Sequence, residues 1–195
     1  MLKGKEIIIG VTGSIAAYKS AEIVRRLKNE GAEVTVIMTE KATKFITPLT
    51  LETLSRNPVY CSLFSEEREW DPAHISLAGR ADLILIAPAT ANLIGKLAAG
   101  IADDLLTTTV MTVKTMVILA PAMNTRMYEN PILQENLNRL KSFGYEIIEP
   151  EYGFLACGEK GKGRLADVDT ILKMVEDNFN RRQKTENGEQ KTERI

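Results

Sequence analysis

The stretch that best indicates the fold class of this chain is Ile7-Ile8-Ile9-Gly10-Val11-Thr12-Gly13-Ser14-Ile15-Ala16-Ala17. Its first part is a short continuous apolar run, which is typical of a strand buried on both faces of a parallel sheet. Ser14 is suited to cap a helix, and apolar residues at helical spacing continue to Glu30, where Gly31 stops the helix. A second apolar run at residues 33–38 completes a strand, helix and strand unit, for which a right-handed crossover is expected.

The same alternation of strand and helix continues along the chain. Further strands are predicted at residues 82–87, 115–120 and 144–148, which makes a sheet of five strands. Helices are predicted at residues 49–55, 73–79, 92–98, 103–111, 131–142 and 167–179. We therefore predict an α/β protein with a three-layer Rossmann-like (flavodoxin-like) fold, in which helices cover both faces of a central parallel sheet.

Length and composition exclude several classes of protein. The 195 residues carry 25 Lys plus Arg against 26 Asp plus Glu, and this balance argues against a nucleic-acid binder. A chain of this size buries enough surface to fold without disulfides or a structural metal, so no metal site is predicted. Residues 181–195 contain one apolar side chain, which predicts a polar flexible tail or linker stub after a single domain at residues 1–180.

Targeting and membrane segments are not expected. The longest uncharged run, residues 83–95, is well short of the roughly 20 residues that span a bilayer. We therefore predict a soluble cytoplasmic protein that does not associate with a membrane. In a reducing compartment the two cysteines are expected to be free thiols, and the apolar neighbours of Cys61 predict a buried packing thiol.

Four loops follow the predicted strands at the edge where open parallel sheets bind ligands. These loops, at residues 12–16, 39–41, 88–92 and 121–125, are rich in small and hydrogen-bonding residues. The first loop lacks the G-x-G-x-x-G spacing of a dinucleotide site. Thr39 ends the second strand where an acidic residue would hold a ribose, and its hydroxyl suits a phosphate better, which favours a mononucleotide such as FMN over NAD.

Two single residues near these loops have side chains suited to catalysis or binding. His74 is the only histidine, and histidine is the natural general base near neutral pH, although composition alone favours a surface or capping histidine. Asn124 directly follows a predicted strand, where its amide could donate to a substrate carboxylate. The alternative for Asn124 is an ordinary turn residue.

Cys157 lies in a segment, residues 153–164, that contains four glycines, two lysines and Arg164. Cationic neighbours can lower the pKa of a thiol and make it more reactive. The glycines predict a mobile flap that closes over a ligand, with glycine residues as hinges. The alternative is an ordinary glycine-rich surface loop.

Five short motifs, taken together and in this order, resemble the homo-oligomeric flavin-containing cysteine decarboxylases. They are Gly13-Ser14-Ile15-Ala16, His74 followed by Ile-Ser-Leu-Ala, Ala87-Pro88-Ala89-Thr90-Ala91-Asn92, Pro121-Ala122-Met123-Asn124, and Ala156-Cys157-Gly158 with the glycines and Arg164 that follow. The resemblance covers about residues 5–180 and is greatest to the branch that acts on phosphopantothenoylcysteine, the first half of bifunctional coenzyme A biosynthesis flavoproteins.

The resemblance implies a role for each matching residue. His74, Asn124 and Cys157 would be the catalytic residues, with Asn124 at the substrate carboxylate and Cys157 as proton donor on the flap. The residues implied to hold FMN are Gly13, Ser14, Ile15, Thr39, Ala89, Thr90 and Asn92, and those implied to bind substrate are Met123, Asn124, Ala156, Cys157 and Arg164.

The implied reaction is the FMN-dependent decarboxylation of 4′-phospho-N-pantothenoylcysteine to 4′-phosphopantetheine, which makes the protein a carboxy-lyase. Direct loss of carbon dioxide would leave a carbanion without an electron sink. Oxidation of the thiol-bearing carbon to a thioaldehyde supplies that sink, and the enethiol formed after decarboxylation is then reduced.

The resemblance also implies partners and leaves alternatives open. A small-molecule substrate and a homotrimer or trimer-based dodecamer are expected, with the site completed across a subunit boundary. The phosphopantothenate-cysteine ligase domain of the bifunctional proteins is expected to be absent from this chain. The alternatives are a peptidyl-cysteine decarboxylase, a flavin prenyltransferase, and a non-catalytic flavin-binding regulatory subunit. The cysteine flap disfavours the first two, and His74 also disfavours the prenyltransferase. The presence of His74, Asn124 and Cys157 together disfavours the regulatory subunit.

Overall fold

Six parallel strands form the central sheet in a computed structural model, which describes residues 2–63 and 73–192. The strands follow the order β3-β2-β1-β4-β5-β6 across the sheet, which is the Rossmann order and confirms the predicted fold class. Their bounds are β1 (Glu6–Val11), β2 (Glu33–Met38), β3 (Val59–Tyr60), β4 (Leu83–Ala89), β5 (Met116–Pro121) and β6 (Glu146–Ile147).

Helices cover both faces of this sheet. Their bounds are α1 (Lys19–Asn29), α2 (Pro48–Ser55), α3 (Ala73–Arg80), α4 (Ala91–Ala99), α5 (Leu105–Thr112), α6 (Thr125–Tyr128), α7 (Pro131–Ser142) and α8 (Val168–Thr192). Buried side chains of α1, α2 and α8 form one core, and those of α3, α4, α5 and α7 form the other. The sheet therefore lies in the middle of three layers.

Burial on both faces explains why the strands read as continuous apolar runs. Ile7 and Ile9 of β1 belong to one core, whereas Ile8, between them, belongs to the other. All three side chains are at most 2% exposed. Because burying one such side chain contributes about 1.5–3 kcal/mol, apolar residues predominate on both faces.

Some elements differ from the prediction. Strand β3 was not predicted, because two residues are too few to show a period. The first helix begins with a 3-10 turn, Ile15–Tyr18, before α1. Helix α8 runs to Thr192, so residues 181–192 of the segment predicted as a flexible tail have a helical backbone. Arg, Gln, Lys and Glu there are good helix formers, and extending an existing helix avoids the cost of nucleation.

A separate two-stranded antiparallel ribbon follows the sheet. It consists of β7 (Glu151–Phe154) and β8 (Lys160–Arg164), and it carries Cys157 in the turn between them. The sequence predicted this segment only as a flap, because glycines and lysines give no strand pattern. We call β7, β8 and their turn the ribbon.

Three further findings concern the part of the chain that the structure describes. No helix there is both long enough and apolar enough to cross a bilayer. No group of three or more His, Cys, Asp or Glu side chains there is arranged to hold a metal ion. Cys61 is exposed, so the prediction of a buried packing thiol is wrong. The residue follows β3, which is the edge strand of the sheet as far as the structure describes the chain.

Candidate active site

A cavity of about 710 Å³ opens at the carboxyl edge of the sheet. It lies between β1 and β4, where the order of the strands across the sheet reverses, the usual ligand site of such sheets. Its lining comes from loops after β1, β2, β4 and β5 and includes Gly13, Ser14, Ile15, Thr39, Lys41, Thr90, Asn92, Ala122 and Met123. We call it the first cavity.

Buried hydrogen bonds lock the loops after β1 and β4 together beneath the first cavity. The Thr12 hydroxyl donates to the Pro88 carbonyl at 2.7 Å and accepts from the Thr90 N–H at 3.1 Å. The Ser20 hydroxyl donates to the Ala87 carbonyl at 2.7 Å. These bonds satisfy polar groups that the ends of buried strands would otherwise leave unpaired, so the floor of the cavity is fixed before any ligand binds.

Gly13 lets the loops after β1 and β2 approach each other closely. A Cβ atom at this position would lie 2.5 Å from the Cβ of Lys41, a distance that no side chain could occupy. The next residue, Ser14, accepts a hydrogen bond from the Ala16 N–H at 3.3 Å and so caps the 3-10 turn. Backbone therefore borders the cavity here, as at phosphate sites.

Thr39 lines the first cavity with a hydroxyl oxygen that is buried and has no hydrogen-bond partner. Leaving a buried polar group unpaired costs about 1–3 kcal/mol. A ligand with an acceptor such as a phosphate oxygen would remove that cost. The predicted cofactor residues thus fit an FMN phosphate, apart from Ala89, which is fully buried at the end of β4 and does not line the cavity.

Charged residues at the rim of the first cavity were not predicted from the sequence. Lys96 lies 2.6 Å from a carboxylate oxygen of Asp103 and 3.3 Å from one of Asp104. The hydrogen bond from Lys96 lowers the pKa of Asp103. The one sequence feature that could have pointed to these residues is Asp104, which caps α5. The lining also contains Glu40 and Lys41, so it carries three carboxylates and two ammonium groups.

A second cavity of about 430 Å³ adjoins the first. The two share four lining residues, namely Ser14, Ile15, Ala122 and Met123. The ribbon forms the opposite wall of the second cavity, and the structure brings the predicted substrate residues together there: Met123, Asn124, Ala156, Cys157 and Arg164.

Asn124 can serve in both of the roles considered from the sequence, as a structural residue of the turn and as an amide donor. Its Oδ1 accepts a hydrogen bond from the Met127 N–H at 2.8 Å and caps α6. Because a backbone N–H can only donate, the oxygen must face it, and the Nδ2 group remains available to donate. The cap thus fixes the orientation of an amide donor at the wall of the second cavity.

Two of the four ribbon glycines, Gly161 and Gly163, have a packing role that was not predicted from the sequence. A Cβ at Gly161 would overlap the Thr125 hydroxyl, and one at Gly163 would overlap the Met123 carbonyl. The Met123 N–H also donates to the Gly163 carbonyl at 2.9 Å. These glycines permit β8 to pack directly against the loop before α6.

The turn of the ribbon presents Cys157 at its tip. Leu155 N–H donates to the Glu159 carbonyl and Gly158 N–H to the Leu155 carbonyl, both at 2.9 Å. Gly158 has a φ of +83°, which favours glycine. The exposed Cys157 is thus held on a closed turn at the edge of the second cavity.

Lys19 is a candidate binding residue that sequence reasoning missed. It lines the second cavity, its side chain is 18% exposed, and its ammonium lies 3.7 Å from Asp167. Arg164, the cation that was predicted there, is engaged by Glu151 at 2.7 Å and Asp167 at 3.1 Å. No sequence pattern distinguishes Lys19, because a lysine in the first turn of a helix is common.

His74 lies apart from the other predicted catalytic residues. It is partly buried in the first turn of α3 and lines neither cavity. Helix α3 packs beside α5 in the layer formed by α3, α4, α5 and α7. One chain therefore does not bring His74 to Asn124 and Cys157.

Comparison with known proteins shows the family of this chain. The family model described as Flavoprotein matches residues 1–180. The chain is 49% identical to a probable phosphopantothenoylcysteine decarboxylase of Streptococcus mutans over 89% of this chain and 98% of that protein. It is 48% identical to the coenzyme A biosynthesis bifunctional protein CoaBC of Bacillus subtilis over 92% of this chain. The chain spans only 44% of that bifunctional relative.

Solved structures give the same grouping. A PPC decarboxylase variant complexed with pantothenoylaminoethenethiol superposes with a TM-score of 0.84 at 30% identity, covering 91% of this chain and 100% of that one. The FMN binding protein AtHal3 superposes with a TM-score of 0.80 at 31% identity, covering 89% and 96% of the two chains. The chain therefore belongs to the Flavoprotein family and, within it, groups with the phosphopantothenoylcysteine decarboxylases.

Proposed function

We propose that this protein decarboxylates 4′-phospho-N-pantothenoylcysteine to 4′-phosphopantetheine with FMN as cofactor. The observation that carries the proposal is the pair of adjoining cavities that share Ser14, Ile15, Ala122 and Met123. Residues suited to a flavin phosphate lie in one cavity, and a fixed amide donor and a thiol lie in the other. A redox cofactor and a cysteine-bearing substrate would thus meet at a shared wall.

The first cavity is the proposed FMN site. The unpartnered Thr39 hydroxyl and the exposed backbone around Gly13 suit a phosphate, and Ile15 and Met123 offer apolar surface toward the second cavity. When bound, FMN supplies a reversible two-electron acceptor for the thiol-bearing carbon of the substrate. The similarity to FMN-binding relatives supports this assignment.

The second cavity is the proposed substrate site. The Nδ2 group of Asn124 would donate to the substrate carboxylate, and the Lys19 ammonium would add positive charge beside it. Ile15, Met123 and Phe154 line the same space and would exclude water from the reacting carbon. A carboxylate held in this way is oriented for loss of carbon dioxide.

Cys157 and His74 complete the proposed site. Cys157, at the ribbon tip, would donate the proton that accompanies the final reduction of the enethiol. His74 would orient or deprotonate the substrate from a neighbouring subunit, since it lines neither cavity of its own chain. Ile75 and Met111 are exposed apolar residues on α3 and α5, which supports burial of this face in a homotrimer or a trimer-based dodecamer.

The other proposed properties follow from the substrate. A phosphorylated small metabolite requires no nucleic acid or membrane partner and points to a cytoplasmic enzyme. Ligase chemistry is not assigned to these residues. The alternatives, a peptidyl-cysteine decarboxylase and a flavin prenyltransferase, share the flavin cavity but would need another occupant in the second cavity.

The test begins with purified protein incubated with FMN. Retention of FMN, seen as flavin absorbance after gel filtration, and release of carbon dioxide from phosphopantothenoylcysteine but not from a peptide ending in cysteine would support the proposal. Release from the peptide alone would favour the peptidyl-cysteine alternative. Protein that takes up no FMN would contradict the cofactor and with it the reaction.

A further inference from the structure

The ribbon that carries Cys157 is held to the body of the protein by a carboxylate outside both cavities. Glu149 lies between β6 and β7, and its Oε2 accepts hydrogen bonds from the Tyr128 hydroxyl at 2.6 Å and from the Lys162 ammonium at 2.8 Å. Its Oε1 lies 3.5 Å from the Lys141 ammonium. Three donors from three different elements therefore converge on one side chain.

We propose that Glu149 is a positioning residue, which fixes β8 against α6 and so holds Cys157 at the second cavity. The inference rests on the proposed function, in which Cys157 donates the last proton. Neither Glu149 nor its three partners lines either cavity, so the effect reaches the substrate only through the ribbon.

The partners of Glu149 connect the ribbon to the loop that carries Asn124. Tyr128 is the last residue of α6, the helix that Asn124 caps, and Lys162 is the central residue of β8. The Lys162 ammonium also lies 5.4 Å from the centre of the Tyr128 ring, within the range of a cation–π contact. A single exposed ion pair contributes little, but a network in which several contacts share one carboxylate can fix a geometry.

Close backbone packing occurs at the same point of the ribbon. Gly161 and Gly163 flank Lys162 and press against Thr125 and the Met123 carbonyl. This packing requires β8 to lie directly against the loop before α6. If the contact between Lys162 and Glu149 were lost, we expect β8 to move and the two glycines to separate from that loop.

The tip of the ribbon would follow such a movement. The turn between β7 and β8 is closed by the hydrogen bond from Leu155 N–H to the Glu159 carbonyl, and β7 and β8 are paired along their length. A shift at Lys162 is thus passed on to Cys157, five residues earlier in the chain. Proton delivery should suffer while earlier steps, which need Asn124, continue.

The pKa of Glu149 is held at about 2, chiefly by the hydrogen bond from Lys162 and then by that from Tyr128. The carboxylate is therefore charged at every pH at which the enzyme would be assayed. A neutral side chain at this position removes the anchor throughout that range.

The experiment compares Glu149→Ala with Glu146→Ala in the FMN-loaded protein. Glu146 pairs with Arg181 at 2.6 Å in an ion pair that does not touch the ribbon, so it is a matched control. Two quantities are measured: hydrogen exchange of the amides at residues 151–164, and the ratio of carbon dioxide released to 4′-phosphopantetheine formed.

For Glu149→Ala we expect faster exchange in the ribbon and carbon dioxide release within about twofold of wild type. The ratio of carbon dioxide to reduced product should rise about threefold to fivefold, the size that an ion pair of up to 1 kcal/mol supports. Glu146→Ala should change neither quantity. Unchanged ribbon exchange in Glu149→Ala, or an equal fall in both products, would overturn the inference.

A second variant guards against effects on folding. Lys162→Met breaks the same hydrogen bond from the ribbon side, so the double variant with Glu149→Ala should be no more impaired than the more impaired single variant. Additive effects would show that the two residues act separately, against the inference. Failure of wild-type protein to release carbon dioxide would contradict the proposed function instead, and the exchange measurements would still decide whether Glu149 fixes the ribbon.

Discussion

The Met123 N–H donates a 2.9 Å hydrogen bond to the Gly163 carbonyl and joins the ribbon to the loop that follows β5. Met123 is also one of the residues shared by the two cavities. Through this contact, the wall that carries Cys157 and the wall that carries Asn124 are parts of one packed unit. The chemistry proposed for the second cavity depends on that unit staying closed.

Gly163→Ala should separate these walls. Its Cβ would overlap the Met123 carbonyl, and Gly163 has a φ of +149°, which L side chains rarely adopt. We expect a loss of about 1–3 kcal/mol in the free energy of unfolding and a larger loss in product formation. Gly79→Ala, where no atom lies within 4 Å of the added Cβ and the residue is helical, is the control for thermal unfolding. An equally stable and active Gly163→Ala protein would contradict the packing argument.

Asn124→Asp should separate stability from binding. Aspartate caps helices as well as asparagine does, so the melting temperature should stay close to that of wild type. The substitution replaces the Nδ2 donor by a negative charge next to the substrate carboxylate. We expect substrate affinity to fall by at least about tenfold, the cost of roughly 1.4 kcal/mol, measured by calorimetry with the FMN-loaded protein. Unchanged affinity would remove Asn124 from the substrate site.

Thr39→Val should weaken FMN binding without destabilising the apoprotein. The hydroxyl has no partner in the protein, so its removal leaves no other group unpaired. A hydrogen bond to a charged phosphate contributes about 1.5–3 kcal/mol, which predicts roughly tenfold to 150-fold weaker FMN binding in a fluorescence titration. In the control Thr109→Val, the lost bond to the Leu105 carbonyl lies in α5, so stability can change but FMN affinity should not.

His74→Asn and Cys157→Ser should fail at different steps. We expect no carbon dioxide release from His74→Asn, whereas Cys157→Ser should release carbon dioxide and accumulate the enethiol. Wild-type turnover by either variant would refute its assignment.

Mixing the two inactive proteins tests the subunit boundary. If His74 and Cys157 of one site come from different chains, oligomers reassembled from both variants should contain some intact sites and regain product formation. Each variant refolded alone is the control. No recovery in demonstrably mixed oligomers would place both residues of a site on one chain.

Glu30 gives a prediction on pH and stability. Burial, followed by the neighbouring Glu176, raises the pKa of Glu30. A carboxyl group with a raised pKa favours the folded state at low pH, and this contribution is lost as the pH rises through the folded-state pKa. Glu30→Gln should therefore unfold at a higher temperature than wild type at pH 7, and this advantage should shrink as the pH falls through the raised folded-state pKa and be gone below the unfolded-state pKa of about 4.3.

Glu149→Gln is the opposite case and serves as its control. The lowered pKa of Glu149 stabilises the folded protein above the unfolded-state pKa, and that contribution disappears as the pH falls toward about 2. The variant should melt below wild type at pH 7, and the difference should vanish in acid. If both variants raised, or both lowered, the melting temperature at pH 7, the opposite pKa shifts of Glu30 and Glu149 would be contradicted.

Local patterns in the sequence determined the architecture. The apolar runs of β1, β2, β4 and β5 predicted a parallel sheet, and the predicted bounds of β2 and α7 are confirmed to the residue. These signals are readable because burial on both faces and helical spacing act between residues at most a few positions apart. The loops at the carboxyl edge of the sheet followed from the same reasoning.

Which side chains meet could be learned only from the tertiary structure. It showed the unpartnered Thr39 hydroxyl, Lys19 at the second cavity and His74 away from both cavities, none of which has a local signature. It also showed that Gly161 and Gly163 of the ribbon make close contacts with the loop before α6. Tyr128 and Glu149 are 21 residues apart in the chain, and Met123 and Gly163 are 40 apart. Contacts over such separations depend on how whole elements pack, and no periodicity within a single element records them.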